Sequence, residues 1–157
     1  MASNIFQKEI GKLLDKSFPL SERISDAANN RYGTFQVSRK PYDFYGATKK
    51  GILWGTEVKM VKSPRFPIHN IPMHQRDALS KLTDLGCLAF LAINWRCGRT
   101  DNNAIFANFS DYADLEYLII SDKRKSTKPL DFPQNWFLHR VTEGWEIPST
   151  HYLYNLL

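Results

Sequence analysis

The sequence predicts an α/β domain in which a central mixed β-sheet is flanked by helices. Three observations carry this. Residues 41–62 read as a β-hairpin, with aromatic and β-branched runs on either side of the polar segment Thr48-Lys49-Lys50-Gly51. Cys87 to Trp95 is apolar or small throughout except for Asn94, which suits a strand buried on both faces. Helical spacing frames these strands, with Phe6, Ile10, Leu13, Leu14 and Phe18 before them and Gln75, Leu79 and Leu82 between them. At 157 residues and 43% hydrophobic content, residues 1–157 suit one domain with its own core.

In chain order, residues 4–18 form the first predicted helix, with Asn4 as N-cap and Gln7 three places later as in a capping box. A polar helix is expected from Ser21 to Asn30, opened by Ser21 with Glu22 in its first turn. The alternation of Thr34 to Ser38 then predicts a strand leading to Arg39-Lys40-Pro41. In the hairpin, Gly46 and Gly51 are placed where the chain reverses. Pro72 opens a helix that runs to Leu85 and stops at Gly86. After the strand 87–95 come a polar turn over residues 96–103, a strand over Ala104–Phe109 and a short helix over Asp111–Leu118. Residues 121–129 form a basic loop containing Lys123, Arg124 and Lys125, which reads equally as a DNA-backbone arm or a mobile surface segment. The aromatic C-terminal stretch, Phe132, Trp136, Phe137, Trp145, Tyr152 and Tyr154, carries too little positive charge to favour base stacking over core or dimer packing.

The net charge of +5 and pI near 9.2 suit a polyanionic partner without specifying one. Cys87 and Cys97 read as reduced thiols, and no His/Cys spacing suggests zinc. The N-terminus lacks an apolar signal core, and no run approaches the ~18 apolar residues of a membrane span. The expectation is a soluble, cytoplasmic protein of a size that suits a bacterium or a phage-infected cell.

Chemistry concentrates in the hairpin. Side chains alternate along a strand, so Glu57 and Lys59 emerge on one face while Thr56, Val58 and Met60 emerge on the other. A lone Glu-x-Lys is ordinarily an exposed charge pair contributing well under ~1 kcal/mol, and Asp43 after Pro41 is also an ordinary turn residue. The context favours more than this, because the charges interrupt apolar strands and a basic segment follows. If Asp43 lies beside Glu57, two carboxylates and a lysine on sheet backbone can hold a divalent cation against a phosphate. Lys49, Lys50, Lys62 and Arg65 read either as a solvated face or as phosphate contacts.

Asp43, a glycine-containing turn and Glu57-Val58-Lys59 resemble the Asp…Glu-x-Lys signature of the restriction-endonuclease-like nuclease superfamily. The continuation, Phe66-Pro67-Ile68-His69-Asn70-Ile71-Pro72-Met73-His74-Gln75 and then Gly86-Cys87-Leu88-Ala89-Phe90-Leu91-Ala92-Ile93, is similar to the RecU-type Holliday-junction resolvases over about Tyr42 to Trp95. The resemblance implies a restriction-endonuclease-like fold and a homodimeric endonuclease that resolves four-way DNA junctions by paired symmetric nicks. It implies Mg²⁺, with Mn²⁺ as a substitute, held by Asp43, Glu57 and the Val58 carbonyl, and no organic cofactor. Lys59 would lie by the attacking water and the scissile phosphate, Gln75 would position one or the other, and His74 would contact DNA. Gln7 stands where related nucleases carry a glutamate that helps to organise the metal site. The segment before Asp43 is short, so the stalk of RecU proteins is reduced or absent. Two other functions stay open: a nuclease of the same fold acting on linear duplex or repair substrates, and a weakly catalytic junction-binding accessory protein.

Overall fold

The computed structural model describes residues 5–25 and 40–157. Its centre is a five-stranded mixed sheet in the order β1 (Leu20–Arg23), β2 (Phe44–Ala47), β3 (Leu53–Val61), β5 (Leu88–Arg96), β6 (Asn102–Asn108). Only β3 and β5 run parallel; the other neighbours are antiparallel. Helix α1 (Ile5–Ser17) covers one face, and α2 (Met73–Asp84) and α3 (Phe109–Ser121) cover the other. The parallel pairing of β3 and β5 needs a crossover, which α2 supplies. The α/β class and the central mixed sheet therefore stand as the sequence predicts.

Strand β5 shows why both faces must be covered. Phe90 and Ala92 pack with Phe6, Ile10, Phe44 and Val58 on the α1 side. Leu91, Ile93 and Trp95 pack with Phe66, Leu79 and Tyr112 on the other. Asn94, the polar exception in this strand, donates to Asn102 Oδ1 at 2.7 Å and to the Asn103 carbonyl at 2.9 Å. That pairing starts β6 inside the segment whose composition predicts a turn.

The helix expected from Ser21 is not formed at its start, because residues 20–23 are edge strand β1, paired with β2. Gly46 makes this pairing possible: a Cβ there would lie 1.9 Å from the Leu20 carbonyl oxygen. Gly46 is thus a close-approach position inside β2, and Gly51, at φ +77°, serves the turn. Ile24 and Ser25 are not helical either; residues 26–30 of the expected helix, the predicted strand 34–38, the segment implied to hold a reduced stalk, and the proposed cap Asn4 lie outside the described residues.

α3 is longer than the Asp111–Leu118 span expected, because the Asn108 side chain caps it by accepting from the Ser110 N–H at 3.1 Å. The basic segment is anchored, since β4 (Phe66–Pro67) pairs with β7 (Ser126–Thr127). Phe132, Trp136 and Trp145 are buried as core, the last within the hairpin of β8 (His139–Val141) and β9 (Gly144–Glu146), while Tyr154 is half exposed. Cys87 and Cys97 are free thiols. No described helix is long and apolar enough to cross a membrane.

Candidate functional site

The hairpin register brings Asp43 beside the middle of β3. Phe44 pairs with Thr56, and the Asp43 N–H donates to the Thr56 carbonyl at 3.0 Å. The Asp43 carboxylate then reaches along β3, where Oδ2 accepts from the Val58 N–H at 3.0 Å. In a strand the N–H and C=O of one residue point to the same side, so the Val58 carbonyl shares this edge with Asp43. Oδ1 of Asp43 meets Lys40 Nζ at 2.9 Å.

Glu57 is 1% exposed and Asp43 3%, so neither carboxylate is hydrated as a surface acid would be. Lys59 Nζ lies 2.8 Å from Glu57 Oε1 and also donates to Gln75 Oε1 at 2.8 Å. The second oxygen of Glu57, Oε2, is buried and has no hydrogen-bond partner. Burial pushes the Glu57 carboxyl up to about 7, and the nearby Asp43 charge adds to this, while Lys59 and Lys40 oppose it. Two carboxylates whose charges repel, one with an orphaned oxygen, form an arrangement that a bound cation would relieve.

The donor chemistry fits a hard divalent ion. No cluster of three or more His, Cys, Asp or Glu occurs among the described residues, so the acidic part of the donor set is Asp43 and Glu57. Mg²⁺ characteristically takes one or two carboxylates and completes its shell with water and substrate oxygens. The Val58 carbonyl is the additional backbone oxygen on this edge.

Gln75 comes to the site on the first turn of α2, with its side chain buried. It meets the centre through Lys59, which makes it a support for the ammonium. What holds α2 in place is a residue the sequence reading missed. Arg76 forks Glu116 of α3 at 2.5 and 3.0 Å and donates to the carbonyls of Ile71 and Ile68, each at 2.8 Å. The available signal was positional: Arg76 lies three residues before buried Leu79, on the same inward stripe.

Gln7 is buried on α1, and its Oε1 accepts from Arg23 Nη2 at 3.0 Å. Its one ligating atom is therefore engaged by β1. Glu9, two positions along α1 from Gln7 and so turned by about 200° to another face, has a different task. It accepts from Arg96 at 2.6 Å, Arg140 at 2.9 Å and Trp145 Nε1 at 2.9 Å, binding α1 to β5 and to the β8–β9 hairpin. Burial raises its pKa, but the hydrogen bonds from Arg140, Arg96 and Trp145 prevail and hold it below the usual carboxylate range.

The basic residues divide into two groups. Lys49 and Lys50 are exposed in the β2–β3 turn. Lys49 is six residues beyond Asp43, or about 20 Å along a strand. Lys62 and Arg65 leave the other end of β3, on the site's side, and both are exposed. Arg65 lines a cleft with Arg124 and Lys125, because the β4–β7 pairing brings the two segments together. Lys123, at φ 60°, is exposed in the turn before it. His74 is half-buried beside Gln75, and His69 is exposed.

An α/β sheet carrying a buried carboxylate pair, a lysine and a basic flank defines the site. No family model matches the chain, and no curated protein matches it. Among solved structures, the chain is similar to Hjc of Archaeoglobus fulgidus, a Holliday junction resolvase from an archaeal hyperthermophile. The identity is 17%, over 67% of this chain and 75% of that one, with a TM-score of 0.45.

Proposed function

We propose that the chain is a divalent-metal-dependent endodeoxyribonuclease of the restriction-endonuclease-like superfamily, acting on branched DNA and resolving four-way junctions by paired symmetric nicks. The observation that carries this is the buried Asp43–Glu57 pair with its orphaned Glu57 oxygen, set beside Lys59. The Asp43…Glu57-Val58-Lys59 pattern that the resemblance rests on supplies these same residues. Burying two repelling carboxylates is costly even with Lys40 and Lys59 beside them, a bound cation offsets that cost, and perturbed carboxyls of this kind cluster at functional sites.

Asp43, Glu57 and the Val58 carbonyl would hold Mg²⁺ or Mn²⁺. That ion supplies Lewis-acid polarisation of a phosphoryl oxygen and lowers the pKa of bound water. Lys59 is held by Glu57 and Gln75 and places a fixed positive charge where charge builds on the phosphoryl oxygens, so no reorganisation is needed during reaction. Gln75 keeps that ammonium aimed by accepting one of its three hydrogens. Lys62 and Arg65 neutralise phosphates on the flank. Paired cuts require two sites, which a two-fold homodimer provides.

The test is cleavage of a labelled four-way junction against a matched linear duplex in Mg²⁺, Mn²⁺ or EDTA. Symmetric nicks in the junction alone are expected. Equal cutting of both substrates would move the reading to a duplex or repair nuclease, and tight junction binding without cutting in any metal would move it to an accessory protein.

A further inference from the structure

Next to the basic cleft lies a second cavity of about 380 Å³, within the lower part of the roughly 300–1,000 Å³ range of small-ligand pockets. Lys128 lines both. We propose that this pocket takes one unstacked nucleobase of the DNA strand whose phosphates follow the cleft. The inference rests on the nuclease reading for its substrate and deepens it, because it makes a nucleotide that can leave the stack part of what is recognised.

The cleft supplies the backbone contact. It is lined by Arg65, Arg124, Lys125 and Lys128. Asp131 forks Arg124 at 2.9 and 2.7 Å and accepts from the Lys128 N–H at 2.7 Å. That carboxylate offsets one cation and braces the segment, leaving three cations in excess. A braced excess of positive charge is what a strand of phosphates recognises.

The pocket supplies the base contact. Half-buried Phe137, with Pro64 and Pro129, gives it flat apolar walls that suit the π-face of any base, over a floor set by buried Trp95. Asp101, Asn103 and Gln134 give it polar edges. The Asp101 carboxylate accepts from Asn103 Nδ2 at 3.1 Å and has a further oxygen. Acceptors of this kind pair with an exocyclic amine, which favours adenine, cytosine or guanine over thymine.

Position links the pocket to the candidate centre. Lys59 pairs with Ile93, and Trp95 pairs with Val61, two residues further along the parallel strands. Ile93 and Trp95 lie on the α2 side, as Lys59 does through its contact with Gln75. One strand across and two residues along is about 8 Å between the Lys59 and Trp95 backbones, and the pocket opens beyond buried Trp95. At roughly 3.4 Å of rise per nucleotide, the distance to the pocket is at least two or three steps of a strand. A base held here would sit a few nucleotides from the phosphate at Lys59, at the point where a branched substrate departs from continuous stacking.

The test uses four-way junctions carrying a single 2-aminopurine at successive positions around the cut. Fluorescence is read on binding in EDTA, and cleavage is mapped separately in Mg²⁺. Gln134→Trp fills the pocket from an exposed position, and Lys128→Ala removes the shared cation; circular dichroism checks that both variants are folded. A several-fold rise in emission at one position a few nucleotides from the cut, lost in Gln134→Trp and reduced in Lys128→Ala, is expected. Cleavage with no such rise at any position overturns the pocket and leaves the nuclease reading intact. The rise without cleavage in any metal supports the pocket and overturns the nuclease reading. Emission unchanged by Gln134→Trp overturns the pocket as the place where the base is held.

Discussion

Removing the charge of Glu57 should stabilise the metal-free protein while abolishing its activity. The Glu57 carboxyl is raised from 4.5 to about 7, first by burial and then by Asp43, against Lys59 and Lys40. In the unfolded chain this group loses its proton at lower pH than in the native state. Its stabilising contribution is therefore full below pH 4.5 and is lost as pH rises through about 7. The interval, at about 1.4 kcal/mol per pH unit, is worth about 3 kcal/mol. Glu57→Gln is neutral at every pH and removes this dependence. The variant does leave Lys59 without its carboxylate, but Lys59 keeps Gln75 and partial access to water, so the offset is small. For a chain of this length about 1 kcal/mol moves the midpoint by roughly 2–4 °C. Thermal unfolding in EDTA at pH 8 should place Glu57→Gln on the order of 6 °C or more above wild type, with the two converging near pH 5. Added Mg²⁺ should close the gap by raising the wild type alone. Parallel pH profiles for the two proteins would refute the assignment of Glu57 as a strained buried acid.

Three further outcomes follow from the same geometry. Lys59→Met should lower single-turnover cleavage by about 10²–10³-fold, typical of losing one preorganised donor, while junction binding in a gel-shift assay changes little. Glu9→Gln should lower stability by about 2–3 kcal/mol through its lost charge-assisted bonds. Because Glu9 is held below the usual range, that contribution is present above pH 4.5 and fades as pH falls further, which acid unfolding of the two proteins would show. Gln7→Glu should gain an ion pair with Arg23 and leave cutting nearly unchanged; a marked rise in activity and in Mn²⁺ affinity would instead make residue 7 a ligand position.

The site was more legible in the sequence than the ends of the sheet, and the reason is local. Asp43, Glu57 and Lys59 are charges set in apolar strands of known period, so alternation alone placed two of them on one face. Register then needed only the hairpin turn. β1 was misread as helix because Leu20–Arg23 is a short, polar edge strand. Its pairing depends on the absence of a side chain at Gly46, more than twenty residues away, and no local pattern reports such a contact. Asn94 and Glu9 illustrate the same limit. Each is a buried polar group whose partners, Asn102 and Asn103 for one, Arg96, Arg140 and Trp145 for the other, meet it only in the folded chain. Lys49 and Lys50 were grouped with Lys62 and Arg65 by nearness in sequence, whereas the hairpin sends the two pairs to opposite ends.

The central claim is that Asp43 and Glu57 jointly hold the cation on which strand cutting depends. The most direct measurement is single-turnover cleavage of a labelled four-way junction across a Mg²⁺ titration, for wild type, Asp43→Asn and Glu57→Gln at equal junction occupancy. The account predicts no cutting in EDTA, saturable activation of the wild type, and no activation of either variant while binding persists. Undiminished cutting by either variant, or by the wild type in EDTA, would contradict it.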